Sequence, residues 1–210
     1  MLYATAADGK KVQATPGSRA RCPLCNCLMI ARCGEINAWH WAHEATEACD
    51  QWAEAESDWH YEWKRLMPTE QVEITIEKDG ERHCAPIVRI DGTIVELRAT
   101  YISPEDIRAR EAFYAPKRMV WLFDARDAAE DGPDGPRLEL RPRDDIHTFR
   151  WKHPKKHTAY AHAPALLDLG DTGVFQLRKL HLEGGPPYGG WGKLFSRADF
   201  IEWLRSSEPA

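Results

Sequence analysis

The chain has 210 residues, enough for one large domain or two small ones. Hydrophobic residues at 43% and charged residues at 29% exclude an intrinsically disordered polymer. A formal net charge of −5 argues against nucleic-acid binding over the whole surface and leaves a local basic face as the alternative. Met1-Leu2-Tyr3-Ala4-Thr5 lacks the basic-then-apolar pattern of a signal peptide. No apolar run approaches the ~20 residues that span a membrane. The expected location is therefore cytoplasmic, with no membrane partner.

Taken in order, residues 10–14 read as a short strand and Pro16-Gly17 as a turn. Residues 51–66 read as a helix, because Trp52, Ala55, Trp59, Trp63 and Leu66 share one face. Pro68 stops it. Three strand candidates follow. Residues 72–76 alternate with period two, Lys78-Asp79-Gly80 is a turn, and residues 82–90 lead through Asp91-Gly92 into 93–98. Pro86 makes the middle strand an edge or an irregular one. Ser103, Pro104, Glu105 and Asp106 are helix-start chemistry, and this helix runs to about Ala115. Residues 119–123 form a continuous apolar run, as in a buried strand. A helix between two such strands makes them parallel. Residues 127–137 are acidic and rich in Gly and Pro, a loop or linker. Residues 138–182 read as strand-rich and 184–192 as a long loop. A last helix begins near Ser196, with Phe200, Ile201 and Leu204 as its apolar face.

The cysteines crowd one segment. Cys22-Pro23-Leu24-Cys25 is a C-x-x-C pair, His40-Trp41-Ala42-His43 follows, and Cys49 lies just beyond. Zinc takes four N or S donors in a tetrahedron, and two closely spaced pairs supply them. Candidate ligands are Cys22, Cys25, His40, His43 and Cys49, of which four would suffice. Cys27 and Cys33 rank lower. H-x-x-H is shorter than the spacing of a helical finger, so these histidines belong on a strand end or turn. Four protein donors imply structural zinc.

On the first helix Glu56, His60 and Lys64 recur every fourth residue and form one stripe. On the strand at 93–98, Glu96 and Arg98 point to one side. An acid followed two residues later by a polar or basic group is the geometry with which metal-dependent nucleases hold a hard cation and activate water. The same residues also fit the solvated side of an ordinary helix and strand.

The order of these pieces resembles the competence-protein CoiA-like family. Matching pieces are Cys22-Pro23-x-Cys25, His40-Trp41-Ala42-His43 with Cys49, and Glu56-Ser57 with His60 and Lys64. Arg82-His83-Cys84-Ala85, Val95-Glu96-Leu97, Ser103-Pro104-Glu105 with Arg108, Arg110 and Tyr114, and Trp121-Leu122-Phe123-Asp124 follow. The resemblance implies an α/β fold. It would hold a restriction-endonuclease-like mixed sheet flanked by helices, an N-terminal zinc-ribbon-like module and a small C-terminal α+β extension. Expected boundaries are 1–50 for the zinc module, 51–126 for a PD-(D/E)xK nuclease-like core, 127–137 for a linker and 138–210 for the extension. Two departures matter. The family pattern places an aspartate where this chain has Pro86, and a glutamine where it has Arg98. Mg²⁺ would be held weakly by Glu96, with Glu56 or Asp91 as substitutes. Arginine cannot be deprotonated, so Arg98 is a poor water activator. It would instead bind phosphate or pair with a glutamate.

Between 141 and 157 lie Arg141, Arg143, Arg150, Lys152, Lys155 and Lys156, with Phe149 and Trp151 interleaved. The cations would meet phosphate, and an exposed Trp151 would stack on a base. Alternatively, this is a strand pair with a basic outer face and Trp151 in the core. Three readings follow: a metal-dependent DNA nuclease with a relocated carboxylate, a disabled nuclease fold that binds DNA, and a regulatory component that meets a protein partner or a second copy of itself. The second is preferred.

Overall fold

The computed structural model describes residues 1–36, 38–45, 49–53, 55–132 and 135–207, with backbone alone at 131, 132, 135 and 136. The fold is mixed α/β. The chain divides into two compact units, Met1–Val88 and Arg89–Ala210. Among the described residues, no helix is long and apolar enough to cross a membrane.

The N-terminal unit opens with five short strands, β1 (Tyr3–Thr5), β2 (Lys11–Gln13), β3 (Arg19–Arg21), β4 (Leu28–Arg32) and β5 (His40–His43). They form an antiparallel sheet in the order β2-β1-β3-β4-β5. Its small core is Ala4, Ala14, Ala20, Cys22, Leu24, Met29 and Trp41. The Trp41 indole is buried and satisfied, because Nε1 donates to Val12 O at 2.9 Å.

Helix α1 (Asp58–Arg65) is shorter than the tryptophan spacing predicts. Ser57 ends it, since the Ser57 N–H donates to His60 Nδ1 at 3.1 Å, half of a reciprocal cap. Trp59 and Trp63 are buried as expected, but Trp52 lies off the helix and stacks on His83, 3.3 Å between ring centres. Strands β6 (Val72–Lys78) and β7 (Glu81–Val88) form the hairpin that Lys78-Asp79-Gly80 predicts. Both Asp79 and Gly80 have positive φ, 54° and 83°, which suits the twist of a two-residue turn. The irregularity expected at Pro86 is present. Between the pairs Val72–Ile87 and Ile74–Ala85, Pro86 has no N–H to donate, and Glu73 adopts a φ of 51°.

In the C-terminal unit, β8 (Ile94–Arg98), helix α2 (Pro104–Tyr114) and β9 (Met119–Asp124) form the expected crossover. The strands are parallel, with Glu96 beside Trp121. Ser103 Oγ caps α2 by accepting from Asp106 N at 3.0 Å. The segment expected as a linker holds a one-turn helix α3 (Arg126–Ala129) and the short pair β10 (Asp131–Gly132) and β11 (Gly135–Pro136), and positions 133 and 134 lie outside the described residues. Strands β12 (Leu138–Arg143), β13 (Ile146–Trp151), β14 (Ala165–Asp168), β15 (Val174–His181) and β16 (Tyr188–Phe195) follow, then helix α4 (Arg197–Arg205). Residues 138–210 extend the same sheet, because β14 pairs parallel with β9. The order within this unit is β12-β13-β16-β15-β14-β9-β8.

Much of the loop expected at 184–192 is strand β16. Its glycines resemble those of a loop, and the packing explains them. A Cβ at Gly190 would meet Phe149 and the Lys179 carbonyl, and one at Gly192 would meet Phe175 and the Gln176 carbonyl. Glycine lets two buried rings lie against the strand backbone. At the other end of the unit, Arg89 Nε and Nη2 donate to Trp203 O at 3.1 and 2.7 Å and close the C-terminus of α4. Gly192→Ala should lower stability by about 1–3 kcal/mol. Thermal unfolding reads this as a drop of several degrees, and an unchanged midpoint would contradict the packing described.

Candidate functional site

The turn between β3 and β4 is a metal knuckle built from local bonds. Cys22 N donates to Cys27 O and Asn26 N donates to Cys22 O, both at 2.9 Å. Asn26 takes a left-handed φ of 61°, which asparagine tolerates well. The Leu24 N–H points at Cys22 Sγ, 3.4 Å away. This places Cys22 and Cys25 side by side. Strand β5 adds His43, and the chain beyond it adds Cys49. Cys22 Sγ lies 3.7 Å from Cys49 Sγ, and Cys25 Sγ lies 3.3 Å from His43 Nε2. All four donor atoms fall within 4.8 Å of one another. Burial works against ionisation of these thiols and raises Cys22 and Cys49. At Cys25 burial acts the same way, but bonds from the Cys27 N–H and His43 outweigh it and bring the thiol to about 6. A thiolate beside a histidine is the state that takes a cation.

His40 is not in this group. His40 and His43 are three apart on one strand, so their side chains leave opposite faces. His40 Nδ1 bonds Ala38 O at 2.8 Å, and its ring stacks near Tyr61. Cys27 and Cys33 also stand outside the four.

Glu96, the expected metal carboxylate of the C-terminal unit, is 2% exposed. Its Oε1 accepts from Arg110 Nη1 at 2.9 Å and lies 3.4 Å from Tyr114 OH. Both partners sit on α2. The Arg110 guanidinium is thus where a metal would be expected to balance charge. Other acids of this unit are engaged likewise. Asp124 is bonded by Arg126, Asp168 by Arg197 and the Gly170 N–H, and Asp91 by Arg89 and the Thr93 N–H. Asp91, named above as a substitute ligand, is held below its ordinary value: burial would raise it, but the Thr93 bonds and the Arg89 charge dominate. Arg98 lies near His157, which burial first, then Lys155 and Arg98, lower to about 4.

Residues 8–51 match the family model described as competence protein CoiA, N-terminal domain. The N-terminal segment is CoiA-like. The match takes in all four converging donors. No curated protein and no solved structure matches the chain.

Outside the CoiA-like match, Glu56, His60 and Lys64 do not form the expected stripe. Glu56 precedes α1, and His60 is engaged in its cap. Lys64 is 2% exposed and pairs with Glu56 and, at 2.7 Å, with Glu73. Sequence reasoning did not single out Glu73. It is 1% exposed and also accepts from Leu2 N at 2.7 Å and Tyr3 N at 2.8 Å. Burial opposes its charge, but Lys64 and these N–H groups hold the carboxyl below its usual range. In an alternating strand an unpaired Glu looks like a solvent residue, and only the left-handed turn at 73 brings it inward.

The basic tract is divided. Arg141, Arg143 and Arg150 are exposed on β12 and β13. Trp151 is 1% exposed, so the ring expected to stack on a base faces the core. It pairs across the strands with Leu138 and Tyr188 and lies on the side of Phe149. Lys152 is half-buried, its N–H bonded to Arg137 O, Lys155 lies 3.7 Å from Asp127, and Lys156 lies over the Tyr188 ring.

Purified chain should carry close to one equivalent of a divalent metal. Cys25→Ser should lose it and lower the unfolding temperature, whereas His40→Ala should keep it. Metal retained in Cys25→Ser, or lost in His40→Ala, would contradict the four-donor site.

Proposed function

We propose that this chain is a DNA-binding protein built on a nuclease-like, restriction-endonuclease-type core in which metal-dependent cleavage has been lost. The observation that carries the reading is Glu96, buried and bonded by Arg110 and Tyr114. A catalytic Mg²⁺ needs oxygen ligands at about 2.1 Å and usually keeps several waters. A carboxylate committed to a guanidinium on the neighbouring helix offers it neither charge nor room. Pro86, where the resemblance calls for an aspartate, has no side-chain ligand atom. Arg98 stays protonated and serves phosphate rather than water. The hairpin β6–β7 and the parallel β8–α2–β9 crossover support the choice of core. The competence-family match of the N-terminal segment and the exposed Arg141, Arg143 and Arg150 support DNA as the partner.

The metal in the N-terminal unit is proposed to be zinc. A tetrahedron with metal–sulfur bonds of ~2.3 Å has sulfur–sulfur edges near 3.8 Å. The Cys22–Cys49 separation of 3.7 Å fits that edge. Four protein donors leave no open position, so the ion is structural. It would tie the knuckle to β5 and to the chain leading into α1.

The test is incubation of the full chain with single- and double-stranded DNA and Mg²⁺ or Mn²⁺. Intact DNA, with a salt-sensitive complex still formed, is the expected result. Divalent-dependent cleavage that Glu96→Gln abolishes would overturn the loss of activity.

A further inference from the structure

The C-terminal unit has a sheet face that the tract at 141–157 only half reveals. Along β16, Gly190 and Gly192 face Phe149 and Phe175 in the core. Side chains alternate along a strand, so Trp191 between them must face outward. It is 41% exposed, which is unusual for a residue of its size. Its cross-strand partners are Thr148 on β13 and Lys179 on β15, and Thr148 is paired in turn with Arg141 on β12. Partners across an antiparallel ladder share a face. Arg141, Thr148, Trp191 and Lys179 therefore form one row across four strands, ~14 Å long.

The flanking rows have the same character. Arg150 is paired with Gly189, two residues from Trp191, and Lys193 lies two residues to the other side. Gly189 adds no side chain, and Thr148 adds a small one, so the indole is not walled in. Arg150, Lys179 and Lys193 are exposed, and Glu139 in the same rows is engaged by Arg141 at 2.9 Å. In a chain of net charge −5, these cations gather around one exposed aromatic ring.

We infer that this face binds single-stranded DNA, with a base stacked on Trp191 and the flanking phosphates held by Arg141, Arg150, Lys179 and Lys193. A flat ring amid cations meets both chemical needs of an unpaired strand, a π-face for the base and positive charge for the backbone. In a duplex the bases are stacked on one another, and this ring has no π-face to meet. The choice of DNA rests on the reading proposed above. The single strand, and the place of contact, follow from the sheet.

The experiment is an anisotropy titration of the full chain with labelled oligo-dT, a mixed-sequence duplex and oligo-rU, at several salt concentrations. Oligo-dT should bind tighter than the duplex and oligo-rU. Trp191→Ala should weaken it about tenfold, within the range for one stacked base, and Trp191→Phe should restore most of the affinity. Arg141→Gln and Lys179→Gln should each reduce the slope of log affinity against log salt by ~0.7. Circular dichroism checks that the variants are folded. Unchanged binding in Trp191→Ala, with loss in Arg98→Ala, overturns this face and leaves the DNA-binding reading intact. Preference for the duplex, or equal or tighter binding of oligo-rU, overturns the single-stranded DNA assignment. No binding of any probe at low salt overturns both.

Discussion

A carboxylate on a buried strand must have its charge balanced from within the protein, and in the C-terminal unit Arg110 does this for Glu96. The pair joins β8 to α2, the helix that crosses from β8 to β9 and sets those strands parallel. Removing one member of such a pair leaves the other buried and uncompensated, which is far more costly than never having buried either. The fold is therefore committed to the pair. A hard cation at Glu96 Oε1 would have to displace a guanidinium held on helix α2. Buried Asp168 is likewise tied to Arg197, and the more exposed Asp124 and Asp91 are tied to Arg126 and Arg89.

The N-terminal unit solves a different problem. Strands β1 to β5 are three to five residues long and three of the seven buried residues in their core are alanine, so buried apolar surface alone holds this sheet weakly. The four donors supply a cross-link at the point where the knuckle, β5 and the segment toward α1 converge. Glu73 supplies another, since its carboxylate gathers the Leu2 and Tyr3 N–H groups and the Lys64 ammonium.

How much could be read in advance depended on whether the signal was local. The C-x-x-C knuckle, the Asp79-Gly80 turn, the Ser103 cap and the β8–α2–β9 crossover are written in neighbouring residues, and the fold has them. Strand periodicity also held the answer for the histidines, because positions 40 and 43 cannot face one ligand together from a strand. The start of α1 lies later than the tryptophans suggest, because positions 52, 59 and 63 mimic one helical face while Trp52 packs on His83. Trp151 and Trp191 look equivalent as sequence. Which one reaches solvent was decided by glycines at 190 and 192, whose purpose is visible only with Phe149 and Phe175 beside them. Arg110 is legible in the sequence as part of a motif. Its bond to Glu96 depends on how α2 lies against β8, which no local pattern encodes.

Glu96 is paired with the Arg110 guanidinium. Direct titration of the full chain with Mn²⁺, followed by electron paramagnetic resonance of the free ion, tests this pairing. No stoichiometric Mn²⁺ site is expected, and Glu96→Gln should give the same titration curve as the unaltered chain. A tight site of about one Mn²⁺ per chain that disappears in Glu96→Gln would contradict the pairing.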